Sequence, residues 1–365
     1  EEKNIAFFYF VSYNLSMDDN KTPLPEDSLP PLDDERLTAL FKYYDPADPL
    51  LGDLLRLAQS RGEDAAPAEE GALSPDEVKT ALTEFPHLDI NRFLRDDAQL
   101  PPMPQALEEL RQITEDSTAS LEAIGAVVLK DSGLSAFLLR MVNSAFYSFS
   151  SRVDTVSRAV GIIGVKPLYS LALGFVFSEI MARLPKDMPG LDRLWRHNLA
   201  VGIAAQTIWE AQEGKEGGER LFVAGLLHDV GKLALICEAP EQAHILYNQS
   251  GKDVPVYDLE DATLGFNHAK AGALLLKKWN MPAPLISAVQ WHHNPYHAAH
   301  YKEPAVVHLA DIAVHALGLG TRPGSPVPAP ARHGATPYPL NAGTLDLVAD
   351  SLDRRLEEAY ASLRP

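Results

Sequence analysis

From residue 100 onward, nearly every segment repeats apolar side chains at the spacing of an α-helix, and none alternates like a half-buried strand. Representative segments are "SLEAIGAVVLKD", "GLSAFLLRMVNSA", "LDRLWRHNLAVGIAAQTIWEAQ", "RLFVAGLLHDVGKLALICE" and "HAKAGALLLKKWN". Asp, Ser or Thr often precedes such a segment and Gly often follows it, as is typical of helix ends. The pattern predicts an all-α fold, a multi-helix bundle around a continuous apolar core.

The first 98 residues differ from the rest of the chain in composition and in hydrophobic pattern. The Pro- and acid-rich strings "KTPLPEDSLPPLDDE" and "SRGEDAAPAEEGALSPDE" separate short helical patterns. Ser74 is a predicted N-cap, with Pro75 opening the helix and Glu77 completing a capping box. We expect residues 1–98 to form an acidic, linker-rich segment with short helices that separates from the bundle. Residues 99–365 then form the main domain, with a helical core at about 190–320 and a Pro/Gly-rich loop and final helix over 318–365.

Charge and composition exclude several classes of protein. The net charge is −18, and residues 1–97 hold 22 acidic against 9 basic residues. With no Lys/Arg cluster to offset this charge, we expect no binding to nucleic acid. No apolar run approaches the ~20 residues that span a bilayer, so we expect no membrane insertion. The single cysteine, Cys237, cannot form an internal disulfide, which favours a cytoplasmic location.

Histidines and aspartates recur at ordered positions along five helical segments of the main domain. They are His197, His228, Asp229, His268, His292, His293 and Asp311. Because the apolar faces of these segments meet in one core, we expect the side chains to converge. Imidazole and carboxylate bind first-row divalent metals, and a set without thiolate favours Mn, Fe or Mg at least as much as Zn. His308 and His315 flank Asp311, and their positions fit either the helix surface or the surroundings of the site.

Motifs on both sides of this set resemble a known family. "LPPMPQALEELRQI", "VVLKDSGLSAFLLRMVNSAFYSFSSRVDTVSRAVGIIG", "GLLHDVGKLAL", "FNHAKAGALLLKKWNMP" and "HLADIAV" resemble the HDOD domain, the HD-related output domain of bacterial signalling proteins. The resemblance covers roughly residues 99–319. His197, His228, Asp229 and Asp311 match the four-ligand core of the HD superfamily of metal-dependent phosphohydrolases. His268, His292 and His293 match the added ligands of its HD-GYP branch, which hydrolyses cyclic di-GMP.

The resemblance implies an HD-type helical bundle and a regulatory module that acts on a signalling protein partner. In HD-GYP enzymes a glutamate and a Gly-Tyr-Pro loop follow the histidine pair, whereas Asn294-Pro295-Tyr296 follows here. This departure favours an output module with a metal-binding HD site for Mn, Fe, Mg or Zn over a catalyst. The alternative is a metal-dependent phosphohydrolase acting on a nucleotide or cyclic dinucleotide, with Lys232 contacting a phosphate oxygen. A nucleotide sensor that binds without cleaving also stays open.

Overall fold

The computed structural model describes residues 34–45, 48, 50–59, 72–95, 103, 105–115, 119–144, 147, 151–184, 190–249, 254–322, 326–330, 338 and 340–363. These ranges contain α-helices and no strand, which confirms the all-α prediction. The helices are α1 (Asp34–Leu40), α2 (Leu51–Gln59), α3 (Pro75–Leu82), α4 (Gln105–Glu115), α5 (Leu121–Val128), α6 (Ser132–Asn143), α7 (Val156–Ile163), α8 (Val165–Arg183), α9 (Leu191–Glu213), α10 (Gly218–Leu227), α11 (Val230–Glu238), α12 (Pro240–His244), α13 (Val256–Leu264), α14 (His268–Lys278), α15 (Ala283–Trp291), α16 (Lys302–Ala316) and α17 (Ala342–Leu363). Short 3₁₀ turns lie at Ile90–Leu94 and Pro295–His297, and a π turn lies at Ile245–Gln249. None of the helices in these ranges combines the length and apolar character needed to cross a bilayer.

The amino-terminal half of the main domain packs α4, α6 and α7 around α8. Asp131 caps α6 by accepting a hydrogen bond from the backbone N–H of Leu134 (3.0 Å). At the other end of α6, the Asn143 side chain donates to the Val153 carbonyl and accepts from the Val153 N–H, each at 2.7 Å. The Asn143 side chain therefore satisfies backbone groups that are left free where α6 ends.

The central helix is α9, which is buried over most of its length and packs against α10, α16 and α17. Two glycines allow α9 and α10 to approach closely. A Cβ on Gly202 would lie 2.8 Å from the Phe222 carbonyl oxygen, and one on Gly225 would lie 2.7 Å from the Val201 carbonyl oxygen. This contact presses the end of α10 against the first half of α9, which carries His197, and His228 and Asp229 follow directly.

The described helices of the amino-terminal segment pack onto the main domain. The predicted capping box is present, since the Ser74 N–H donates to Glu77 Oε2 (2.8 Å) and Ser74 Oγ accepts from the Glu77 N–H (3.4 Å). Helix α2 contacts α16 and α17, burying Leu51 and Leu54 completely. Burial of large apolar side chains stabilises this contact by about 1.5–3 kcal/mol each. The division of the chain into residues 1–98 and 99–365 stays a prediction.

Candidate metal centre

Four predicted residues converge between the central helix and its neighbours. His197 Nε2 lies 3.3 Å from Asp311 Oδ1 and 4.0 Å from Asp229 Oδ2, and His228 Nε2 lies 3.5 Å from the same Asp229 oxygen. All four side chains are buried. His197 comes from α9, His228 and Asp229 from the junction of α10 and α11, and Asp311 from α16. The fold therefore brings together side chains that are more than 100 residues apart.

The other three predicted residues join the same group. His268, the first residue of α14, places Nε2 3.2 Å from Asp229 Oδ1. His293 Nε2 lies 3.0 Å from His268 Nε2, and the rings of His292 and His228 have centroids 5.1 Å apart. We call the seven residues the His/Asp cluster: His197, His228, Asp229, His268, His292, His293 and Asp311.

Backbone carbonyls orient three of the imidazoles. The bonds join Nδ1 of His197 to the Leu319 oxygen (2.9 Å), Nδ1 of His228 to the Gly225 oxygen (2.6 Å) and Nδ1 of His292 to the Val289 oxygen (2.7 Å). A carbonyl oxygen only accepts, so Nδ1 carries the hydrogen in each ring. The Nε2 atom of each neutral ring then points a lone pair into the cluster, as a metal ligand requires.

Burial and nearby charges favour neutral His228, His292 and His293 and an ionised Asp229. Burial lowers the pKa of His228 to about 4 and holds the pKa of His292 and of His293 well below the usual range. Burial alone would raise the pKa of Asp229, but Lys232 and then His228 outweigh it and hold that pKa well below its ordinary value. These are the protonation states that bind a divalent metal.

Two further residues support the cluster. Glu260 is fully buried and accepts hydrogen bonds from His268 Nδ1 (2.6 Å), the His268 backbone N–H (2.8 Å) and the Tyr247 hydroxyl (2.7 Å). Sequence reasoning missed Glu260, because a glutamate eight residues before a histidine carries no recognisable signal. His315 Nδ1 lies 2.9 Å from Asp311 Oδ1, one helical turn away, so this histidine belongs to the surroundings of the site and not to the surface.

Unpaired polar atoms inside the cluster fit a divalent cation. His197 Nε2, His292 Nε2 and Asp229 Oδ1 are all buried and have no hydrogen-bond partner among the described residues. Leaving one such atom unsatisfied costs about 1–3 kcal/mol, so several in one place need an explanation. Three triads bring their donor atoms within 4.8 Å of one another: His197/His228/Asp229, His197/Asp311/His315 and His268/His292/His293. The donors and their spacing match what such a metal requires.

A cavity of about 140 Å³ borders the cluster. His268, His293 and Asp311 form part of its wall, with Lys232 beside them. Lys232, the predicted phosphate contact, points its ammonium at Asp229 Oδ2, 2.6 Å away. The volume is below the ~300–1,000 Å³ that small-molecule sites usually offer. In this conformation the cavity has room for waters or a small anion beside the cluster.

The family profile of the HDOD domain matches residues 100–295, more than half of the chain. The chain belongs to the HDOD family. A protein of uncharacterised function from Treponema pallidum (strain Nichols) is 26% identical over 255 residues, which are 69% of this chain and 48% of the relative. The chain therefore spans about half the length of this curated relative.

Solved structures share the HDOD fold. An HDOD domain protein of unknown function from Geobacter sulfurreducens superposes with a TM-score of 0.56 at 21% identity, covering 78% of this chain and 98% of that one. A provisionally named signal transduction protein from Marinobacter aquaeolei VT8 has a TM-score of 0.60 at 22% identity, with coverages of 80% and 65%. A provisionally named metal-dependent phosphohydrolase from Shewanella amazonensis SB2B has a TM-score of 0.50 at 18% identity, with coverages of 76% and 98%.

Proposed function

We propose that the chain is a signalling output module whose His/Asp cluster holds a divalent metal and whose helical surface binds a partner protein. The observation that carries the proposal is the combination of a buried, oriented donor set with a small adjoining cavity of about 140 Å³. Membership of the HDOD family and the provisional name of the Marinobacter relative support a signalling role.

The segment after the histidine pair also argues for regulation over turnover. Asn294 leads directly into the 3₁₀ turn Pro295–His297, and its side-chain amide donates to the Tyr257 hydroxyl (2.9 Å). This bond fixes the segment to α13 beside the cavity. Catalysis depends on holding reacting groups close to productive geometry, and the cavity that Asn294 and Tyr257 line offers only about 140 Å³.

The core ligands would be His197, His228, Asp229 and Asp311, and His268, His292 and His293 would complete a second site. When bound there, a divalent metal supplies concentrated positive charge and Lewis acidity. The protein's own residues set the direction of the Nε2 atoms and keep His228, His292 and His293 neutral. Because the donors come from helices far apart in sequence, their common engagement also stabilises the packing of α9, α11, α14 and α16.

The partner surface would lie away from the cluster. Leu121 and Leu129 at the two ends of α5, and Ile162 on α7, are large apolar side chains that remain exposed. Helices α5 and α7 pack against each other, so these side chains lie on neighbouring elements of the amino-terminal half. Apolar side chains exposed on adjacent helices support a protein contact in this half of the domain.

A metal-dependent phosphohydrolase is the second candidate, and the position of Lys232 favours it. Its ammonium lies at the wall of the cavity beside the cluster, where it would contact a phosphate oxygen of a nucleotide or cyclic dinucleotide. This function requires Lys232 to leave Asp229 and the cavity to widen. The provisional name of the Shewanella relative agrees with this candidate.

Elemental analysis of the purified chain and of an Asp229→Ala variant tests the proposal. We expect Mn, Fe, Mg or Zn in the wild type, and a lower metal content and melting temperature in the variant, since bound metal stabilises the folded state. Asp350→Ala is the matched control, because Asp350 is exposed on α17. Hydrolysis of cyclic di-GMP and common nucleotides should stay at background with Mn or Fe supplied.

Two outcomes would contradict the proposal. Fast turnover that disappears in Asp229→Ala would establish the phosphohydrolase instead. The other outcome is a metal-free wild type whose melting temperature does not change when a chelator is added. His228 and Asp229 would then act only as buried hydrogen-bonding groups. In that case Asp229→Ala should cost about 1–3 kcal/mol with no metal dependence.

A further inference from the structure

Part of the amino-terminal segment reaches the cavity beside the His/Asp cluster. Tyr43, three residues after the end of α1, forms part of the cavity wall together with Lys232 and His293. Pro326 and Pro328, from the Pro/Gly-rich loop, contribute to the same wall. We call residues 34–45 and 326–330 the cap. Both parts lie outside the residues that match the HDOD profile.

The two parts of the cap are joined to each other. The Val327 N–H donates to the Leu40 carbonyl oxygen at 2.8 Å. Val327, Leu37 and Phe41 are all buried. The cap is therefore held in part by buried apolar side chains.

Helix α2 anchors the cap to the body of the domain. It follows the cap by a few residues and packs on α16 and α17, where Arg56 forms an ion pair with Asp346 (2.8 Å). The ion pair is partly exposed and contributes little, so the buried leucines of α2 dominate the anchoring. Because α16 also carries Asp311, the anchor and the cluster share one helix.

The inner side of the cap faces the cluster. Tyr44 is buried, and its hydroxyl has no hydrogen-bond partner in the described part of the chain. Burial, then Asp48 and then Asp311, raise the pKa of this hydroxyl well above its usual value. The effect of Asp311 places Tyr44 within electrostatic range of a cluster carboxylate.

Three prolines limit the backbone hydrogen bonds that residues 326–330 can donate. Pro326, Pro328 and Pro330 have no N–H, so this strap cannot form a regular backbone ladder with its neighbours. Apolar burial and the Val327–Leu40 bond hold it in place. Such a contact can open without breaking the helices that carry the cluster.

We propose that the cap closes the cavity and controls access to the His/Asp cluster. The inference concerns regulation of the site in the proposed function, and rests on that function for its biological meaning. Access itself is a property of the folded chain that can be measured with or without metal. Opening the cap would expose His268, His293 and Lys232 together.

The test measures the rate at which diethyl pyrocarbonate modifies each histidine of the full chain, by peptide mass spectrometry. Tyr43→Ala removes one wall of the cavity, and Val327→Pro removes the N–H that bonds to Leu40. We expect a several-fold faster modification of His293 in both variants, with exposed His297 unchanged as the internal reference. Tyr301→Ala, at an exposed tyrosine that does not line the cavity, is the matched control and should behave as wild type.

Two results would overturn the inference. One is an unchanged His293 rate in both variants. The other is an increase that extends equally to His308, which is buried and does not line the cavity, since this would indicate general loosening. The experiment is run on protein as purified and after chelator treatment. Absence of metal would therefore defeat the proposed function while leaving the access result intact.

Discussion

Gly231, two residues after the His-Asp pair, should tolerate no side chain. It lies where α11 crosses α14, and a Cβ added there would be 1.9 Å from the His268 carbonyl oxygen and 2.7 Å from the Gly272 nitrogen. Real Cβ atoms essentially never approach closer than 3.0 Å, so Gly231→Ala must move the backbone by at least about 1.1 Å. Both obstacles are backbone atoms, and neither helix can relieve the contact by rotating a side chain.

The cost follows from the rigidity of the obstacle. Overpacking a core usually costs about 1–3 kcal/mol, and a backbone clash belongs at the upper end, roughly 3 kcal/mol or more. We expect the melting temperature to fall by on the order of 5–10 °C. His268 begins α14 and lies 3.2 Å from Asp229, so the same displacement should also reduce the metal content of the protein.

Urea and thermal denaturation of Gly231→Ala, together with elemental analysis, measure both effects. Gly161→Ala is the matched control, since Gly161 lies in α7 and a Cβ there would meet no atom within 4 Å. This control should stabilise the protein by about 0.5–1 kcal/mol through its better helix propensity. A Gly231→Ala variant with the wild-type urea midpoint and metal content would refute the close crossing of α11 and α14.

Three further predictions concern the amino-terminal segment, pH and the support of the cluster. Leu54→Ala should lower the free energy of unfolding by roughly 2–5 kcal/mol in urea denaturation, because Leu54 is fully buried. Leu129→Ala, at an exposed position, should change it by less than about 0.5 kcal/mol. Equal, small effects in both variants would show that residues 1–98 fold separately from the main domain. Burial lowers the pKa of His308 to about 4, below its unfolded value of about 6.5, so its stability contribution is present above pH ~6.5 and is lost as pH falls towards ~4. His308→Leu should therefore lose stability less steeply than wild type across this window in denaturation series, and a parallel pH profile would contradict the assignment. Glu260→Gln should weaken metal binding about 10–100-fold in chelator competition. Tyr247→Phe keeps the Glu260 carboxylate and should have a smaller effect. Equal effects of the two variants would show that Glu260 does not orient His268.

The helical architecture was predictable because helix formation and capping depend on residues that are close together in the sequence. The capping box at Ser74 could be identified from a few neighbouring residues, and it is present. Periodic apolar side chains from residue 100 onward predicted an all-α bundle for the same reason. The ordered histidines and aspartates also predicted their own convergence, since their residue types are unusual for a buried core.

Contacts between segments that are distant in the sequence could not be predicted in this way. Nothing near Leu54 distinguishes a leucine that packs on α16 and α17 from one on an isolated short helix. Glu260 gave no sign that it orients His268, because their relation depends on how α13 leads into α14. The glycine at position 231 accompanies the His-Asp pair in the motif, but only the crossing of α11 and α14 explains why no larger residue fits.

The sequence by itself determined the helices, their order and the residue types of the His/Asp cluster. Only the tertiary structure decided that the cluster borders a small cavity, that Lys232 pairs with Asp229, and that Tyr43 lies over the same cavity. The physical reason is the range of the interactions. Periodicity, capping and ligand chemistry belong to single residues or single turns, whereas cavity size and closure depend on how close-packed helices from the whole chain fit together.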